Sequence, residues 1–154
     1  MVIGIIGENC AGKSTLANEL NKSLNAEIIT GKDYLRMAKS ESEAIALFKD
    51  KLKQAVSGSN VIYVISEKEH ISLLPENAIR ILVVAQLDSI KERFKARMHG
   101  NLPKPVEEML ERKHGMFDEG DYDFRFNSSD DDLGEICKEI TALAEALPLS
   151  EKEL

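Results

Sequence analysis

The residues of this chain most directly equipped for chemistry are Gly7-Glu8-Asn9-Cys10-Ala11-Gly12-Lys13-Ser14. A β-branched run, Val2-Ile3-Gly4-Ile5-Ile6, precedes them, and the helical stretch Thr15-Leu16-Ala17-Asn18-Glu19-Leu20 follows. A G-x-x-x-x-G-K-[S/T] pattern between a strand and a helix reads as a phosphate-binding loop. Gly7 and Gly12 supply torsions that other residues avoid, so the amides from Glu8 to Thr15 can turn inward around a phosphate chain. The helix beginning near Lys13 adds the positive end of its dipole. Lys13 brings a point charge for the outer phosphates, and the Ser14 hydroxyl is a ligand for Mg²⁺.

Further candidates stand where strands end. Glu67 follows the apolar run Val61-Ile62-Tyr63-Val64-Ile65, and Asp33 follows Ala26-Glu27-Ile28-Ile29-Thr30. C-terminal strand tips are where parallel α/β sheets gather their ligands. A hydroxyl nucleophile gains from a carboxylate that takes its proton, whereas a phosphate nucleophile asks for guanidinium clamps. Either carboxylate fits the role of base, and either could orient Mg²⁺ through its water shell. Arg93 and Arg97, four residues apart, share one helical face. Each candidate has a plainer reading: Asp33 as a helix N-cap, Thr30 as a strand end, Arg36 as a surface ion-pair partner, and the arginine pair as ordinary charge decoration.

The remaining polar residues suggest less. His70, His99 and His114 are scattered and read as surface or loop residues. Cys10 and Cys137 have neither metal-ligand spacing nor the look of a disulfide framework, and Cys10 reads as a small filler. Asp130, Asp131 and Asp132 favour the start of a helix.

Positioning these groups requires strands and helices in alternation. Strands are expected at Val2–Ile6, Ala26–Thr30, Val61–Ile65 and Ile81–Ala85, with a weak fifth at Tyr122–Phe126. Leu16, Leu20 and Leu24 mark a first helix ending near Asn25. A helical pattern from Asp33 carries Ile45, Phe48, Leu52 and Val56 on one side, with Ser40–Glu43 as an interruption. Helices follow from a cap near Asp88 to Met98 and from Val106 to Phe117, with Pro105 in the first turn. The last helix has the stripe Leu133, Ile136, Ile140, Leu143 and Leu147, with Pro148 as its stop and a frayed tail beyond. Such alternation implies parallel right-handed crossovers and helices on both faces of the sheet.

A chain of 154 residues has room for one good core, and one domain over residues 1–154 is expected. A net charge of −7 argues against nucleic acid as an obligatory partner. No apolar run approaches a membrane span and no basic segment precedes the first apolar residues, so neither membrane nor signal peptide is expected, and the cytoplasm is the default.

The chain resembles the P-loop kinases of the nucleoside-monophosphate kinase type, such as adenylate and cytidylate kinases. Beyond the loop, Ile29-Thr30-Gly31-Lys32-Asp33-Tyr34-Leu35-Arg36 is similar to the T-G-D-x-L-R stretch of adenylate kinases, with one residue inserted. Glu92-Arg93-Phe94-Lys95-Ala96-Arg97 looks like the E-R-x-x-x-R entry to the family's lid, and Tyr122-Asp123-Phe124-Arg125-Phe126-Asn127 like its Y-D-x-x-x-N segment. The resemblance implies a three-layer P-loop NTPase fold with a five-stranded parallel sheet and a short lid at about residues 98–106. It further implies ATP and Mg²⁺ as cofactors, Thr30 and Arg36 at the acceptor, Arg93 and Arg97 over base and phosphates, and Arg112 as a further lid arginine.

One departure bears on the acceptor. Where adenylate kinases carry a Gly-Phe-Pro-Arg-like turn after the third strand, this chain has Ser66-Glu67-Lys68-Glu69. The expected activity is ATP- and Mg²⁺-dependent transfer of a phosphoryl group to a nucleotide or nucleoside as the small-molecule acceptor, by a monomer or homodimer. A hydroxyl-directed metabolite kinase and a catalytically impaired ATP-binding regulator are the alternatives. A GTPase switch is disfavoured by the lack of an N-K-x-D stretch.

Overall fold

The structure is a computed structural model and describes residues 1–152, with side chains described through residue 146. Five strands, β1 (Val2–Gly7), β2 (Glu27–Thr30), β3 (Val61–Ile65), β4 (Ile79–Val84) and β5 (Phe124–Asn127), form one sheet in the order β2-β3-β1-β4-β5. Every neighbouring pair is parallel, in registers such as Ile3 opposite Ile62 and Ile79, so all five C-terminal ends lie along one edge.

β1 and β3 are buried at every position, as expected of strands covered on both faces. Alternation along the strands then sorts side chains into two cores. Ile3, Ile5, Ile62, Val64, Ile81 and Val83 meet Leu16 and Leu20 of α1 (Lys13–Leu24) and Ile136 and Ile140 of α5 (Leu133–Lys152). Val2, Ile6, Tyr63, Ile65 and Leu82 meet Phe48 and Leu52 of α2 (Glu41–Ala55), together with Leu74 and Phe117. The result is the expected three-layer α/β fold. A third, smaller cluster joins Cys10 and Ala85 to Ile90 of α3 (Leu87–Arg97) and Leu110 of α4 (Lys104–Lys113).

Several boundaries differ from the sequence reading for identifiable reasons. The helical pattern from Asp33 is two pieces: a 3₁₀ turn over Asp33–Met37 and then α2, whose N-cap Ser40 accepts a hydrogen bond from the Glu43 amide at 3.2 Å. Asp33 caps no helix; its Oδ2 instead accepts from the Thr30 amide, 3.2 Å back along the chain. Asp88 sits in the first turn of α3, with Gln86 at the cap position. The helix expected to reach Phe117 ends at Lys113, just before Gly115 at φ +81°.

The last helix is capped by Asp132, whose Oδ1 accepts from the Glu135 amide at 2.9 Å. It does not stop at Pro148: the backbone stays helical to Lys152. Its buried stripe passes through Ala144, with Leu143 36% exposed; Leu147's side chain and the end of the tail lie outside the described residues. Among the described residues no helix is long and apolar enough to cross a membrane.

Candidate functional site

The phosphate-binding loop leaves the C-terminal end of β1 at the centre of the sheet and enters α1. Gly12, at φ +109°, is the N-cap of α1; it offers no side chain to the helix amides, and the first turn contains no acidic residue. The amides at the helix start are thus left for an anion. Gly7 serves differently from the sequence expectation. Its φ is not positive, but a Cβ there would lie 2.5 Å from the Val83 carbonyl, so its lack of a side chain lets β1 and β4 approach closely. The left-handed turn falls instead on Cys10, φ +64°, whose side chain packs with Ala85, Ile90 and Leu110 as the expected filler.

Lys13 is folded back over the loop. Its Nζ donates to the carbonyls of Gly7 at 2.8 Å and Glu8 at 2.6 Å, and the residue is 6% exposed. An ammonium has three protons, so one is left for a phosphate oxygen. Burial lowers the Lys13 pKa to about 8; the Arg97 charge lowers it too, while Cys10 and Glu8 oppose the shift. Ser14, Thr15 and Asn9 are exposed at the mouth of the loop. Within the loop the Ala11 amide is already used by the Glu8 carbonyl at 3.1 Å, and the free amides at the start of α1, an exposed hydroxyl and a buried ammonium are the donors that could hold a triphosphate with its magnesium.

The expected i,i+4 pair on α3 faces the loop, with divided duties. Arg93 Nη1 donates to the Cys10 carbonyl and to Ser128 Oγ, each at 3.0 Å, and Ser128 Oγ donates to the Ala11 carbonyl. Arg93 therefore braces the loop against the turn after β5. Arg97 is exposed and reaches Lys13 through its charge. Glu8 points away from the phosphate cradle: its carboxylate takes the Gly115 amide and pairs with His114 Nδ1, each at 3.1 Å. The loop is thereby tied to the end of α4, whose last turn carries the exposed Arg112. Lys91 pins α3 to α4 through Glu107 at 3.3 Å and Glu111 at 2.6 Å.

The β2 and β3 tips form the second wall. The Tyr63 hydroxyl donates to the Gly31 carbonyl at 2.7 Å and fastens the turn that carries Asp33. Its pKa is pushed up, first by burial and then by the charges of Tyr34, Glu67 and Asp33. Glu67 is exposed just beyond β3. Its carboxyl is held below the ordinary glutamate range, chiefly by a side-chain hydrogen bond with Glu69 and less by Lys32, His70 and Lys113, against some desolvation. Thr30 and Arg36 are exposed, and Arg36 has no ion-pair partner among the described residues.

Sequence reasoning missed several members. His70, expected at the surface, is 4% exposed. His114 ties to Glu8, and Ser128 buttresses the loop. The signal for His70 was its place three residues after Glu67, which a 3₁₀ turn puts on one face. Nothing in local sequence pairs His114 with Glu8.

No protein-family model matches the chain, and no curated protein matches it. Solved structures do. The YorR protein of Bacillus subtilis in complex with phosphorylated GDP aligns over 94% of this chain and 96% of its own, at TM-score 0.62 and 22% identity. The shikimate kinase of Bacteroides thetaiotaomicron aligns over 94% and 98%, at 0.59 and 15%. The deoxyadenosine kinase of M. mycoides with dCMP and dCDP bound aligns over 95% and 100%, at 0.55 and 20%. The matches include proteins named as different kinases, so the likeness does not single out the nucleoside-monophosphate type. What this chain shares with them is the three-layer α/β fold.

Proposed function

We propose that the protein is an ATP- and Mg²⁺-dependent kinase that transfers the γ-phosphoryl group to a nucleoside or nucleotide, with residues 1–154 as one domain and residues 98–106 as a short lid. The observation that carries this reading is the loop itself: uncapped amides at the start of α1, with Lys13 and Arg97 within electrostatic reach of each other at the sheet's C-terminal edge. In this reading residues 7–15 cradle the triphosphate, Ser14 ligates the magnesium, and Arg97 and Arg112 reach the transferred group. Arg93 acts through the loop it braces. Catalysis is positioning and charge neutralisation.

For the acceptor, the second wall favours a hydroxyl. Arg36 is its guanidinium, set beside the carboxylates Glu67, Glu69 and Asp33 and within reach of the Lys32 and Lys113 charges, and Glu67, held ionised, is suited to orient a hydroxyl. The kinase names among the structural matches, shikimate and deoxyadenosine, are those of hydroxyl acceptors. A monophosphate acceptor is the second reading, supported by the unpaired Arg36. The test is a coupled assay of ATP turnover against nucleosides, monophosphates and hydroxylated metabolites, run on wild type and Lys13→Ala. Lys13→Ala is expected to fold normally by circular dichroism and to lose turnover by about a hundredfold or more; a fully active variant overturns the proposal. ATP binding without transfer to any acceptor points instead to a regulator.

A further inference from the structure

Beyond the β3 tip, a 3₁₀ turn over Lys68–Leu73 brings Glu67, Glu69 and His70 together, with one ligand atom from each within 4.8 Å of the others. His70 is the unusual member. Its side chain is 4% exposed, and its Nε2 faces the carboxylates at 3.9 Å from Glu67 Oε2 and from Glu69 Oε1. Both separations exceed a hydrogen bond, and Nδ1 is buried with no partner among the described residues. An imidazole nitrogen taken out of water with no partner is unfavourable. What fixes the ring is packing: it stands edge-on to Tyr34, centroids 5.9 Å apart, and tilted against Tyr63 at 6.3 Å.

We infer that Glu67, Glu69 and His70 form a site for a divalent first-row transition cation, of the Zn²⁺ or Co²⁺ type, separate from the magnesium expected at Ser14. Nitrogen and carboxylate ligands bind such ions at about 2.0–2.2 Å, which brings donor atoms slightly closer together than they stand here. The buried imidazole is the fixed ligand, and the two glutamates, 52% and 69% exposed, are free to swing the remaining distance. One imidazole with two carboxylates suits transition ions better than Mg²⁺, which prefers oxygen ligands and keeps its waters. A cation here takes the place of the hydrogen bond that links the Glu67 and Glu69 carboxyls. Lys32 and Lys113, whose charges reach Glu67, oppose it and limit its affinity.

The inference does not depend on the kinase reading, and its test is made without nucleotide. Co²⁺ is titrated into the full chain and followed by visible d–d absorption, then displaced with Zn²⁺ and, separately, with Mg²⁺. One equivalent is expected, displaced by Zn²⁺ and not by a comparable concentration of Mg²⁺. Glu69→Gln, on an exposed residue, is expected to weaken binding at least about tenfold. His70→Gln, checked for fold by circular dichroism, is expected to do the same; if it fails to fold, Glu69→Gln decides. Lys13→Ala and His114→Gln are expected to bind like wild type, so loss of the kinase reading leaves this one standing. Failure of Co²⁺ and Zn²⁺ to bind at millimolar concentration overturns the proposal. So do unchanged binding by Glu69→Gln, equal displacement by Mg²⁺, and a thiolate charge-transfer band that assigns the ion to a cysteine.

Discussion

Binding of a triphosphate should change the protonation of Lys13. In the free protein burial holds its pKa at about 8, against an ordinary value of 10.5. A phosphate chain beside Nζ favours the charged form and returns the pKa toward or above the ordinary lysine value. Between pH 8 and 10 the nucleotide-bound protein therefore holds a proton that the free protein has partly lost. By linkage, proton uptake on binding is about 0.5 at pH 8 and about 0.9 at pH 9, falling close to zero at pH 6. The apparent dissociation constant rises about tenfold from pH 7 to pH 9, or about 1.4 kcal/mol. Isothermal titration with ATPγS in pairs of buffers of different ionisation enthalpy measures the uptake directly. Lys13→Arg keeps a charge that does not titrate in this range, and the uptake should vanish. Equal uptake by both proteins at pH 9, or none by wild type, refutes the assignment of Lys13 to the phosphates.

The same residue links stability to pH. Below about pH 8 folded and unfolded chains both carry the Lys13 proton and the burial penalty is fully present; between pH 8 and 10.5 the unfolded chain holds a proton the folded one has shed, so stability rises, by up to about 3 kcal/mol. Urea midpoints of wild type relative to Lys13→Met across pH 7 to 10 should show it, and a difference that does not change with pH counts against it. Gly7→Ala should cost about 1–3 kcal/mol, because its Cβ would meet the Val83 carbonyl at 2.5 Å; denaturant unfolding measures the loss. Arg93→Ala should lower stability by about 2 kcal/mol as the Cys10 and Ser128 contacts go, whereas Arg97→Ala should leave the unfolding midpoint unchanged and reduce turnover. Paired melting and activity assays separate the two.

The strands were open to reading because their causes are local. β1 and β3 are unbroken apolar runs with glycine or polar residues at their ends, and Asn25 closes α1 in a left-handed turn where the sequence placed its end. The loop announces itself because the pattern that marks it, two glycines and one lysine between a strand and a helix, is contiguous. The rest of the site depends on residues far apart in the chain. Glu8 reaches Gly115 across 107 positions and Arg93 reaches Cys10 across 83, distances over which no periodicity reports. His70 was misread because a polar stretch can still bury one of its members when a 3₁₀ turn rotates it under two tyrosines. Pro148 was read as a stop, yet α5 runs past it to Lys152.

The strand order has a consequence for how the chain comes off the ribosome. β1 emerges first, yet its two neighbours are β3 and β4, so its edges stay unpaired until Val61–Ile65 and then Ile79–Val84 have been made. Throughout that interval a run of six buried-type residues is a bare strand, ready to stick to any other nascent edge. The Gly7 and Glu8 carbonyls that receive Lys13 stand at the exit of this same strand, so the proposed triphosphate site is built on the strand that waits longest for its neighbours.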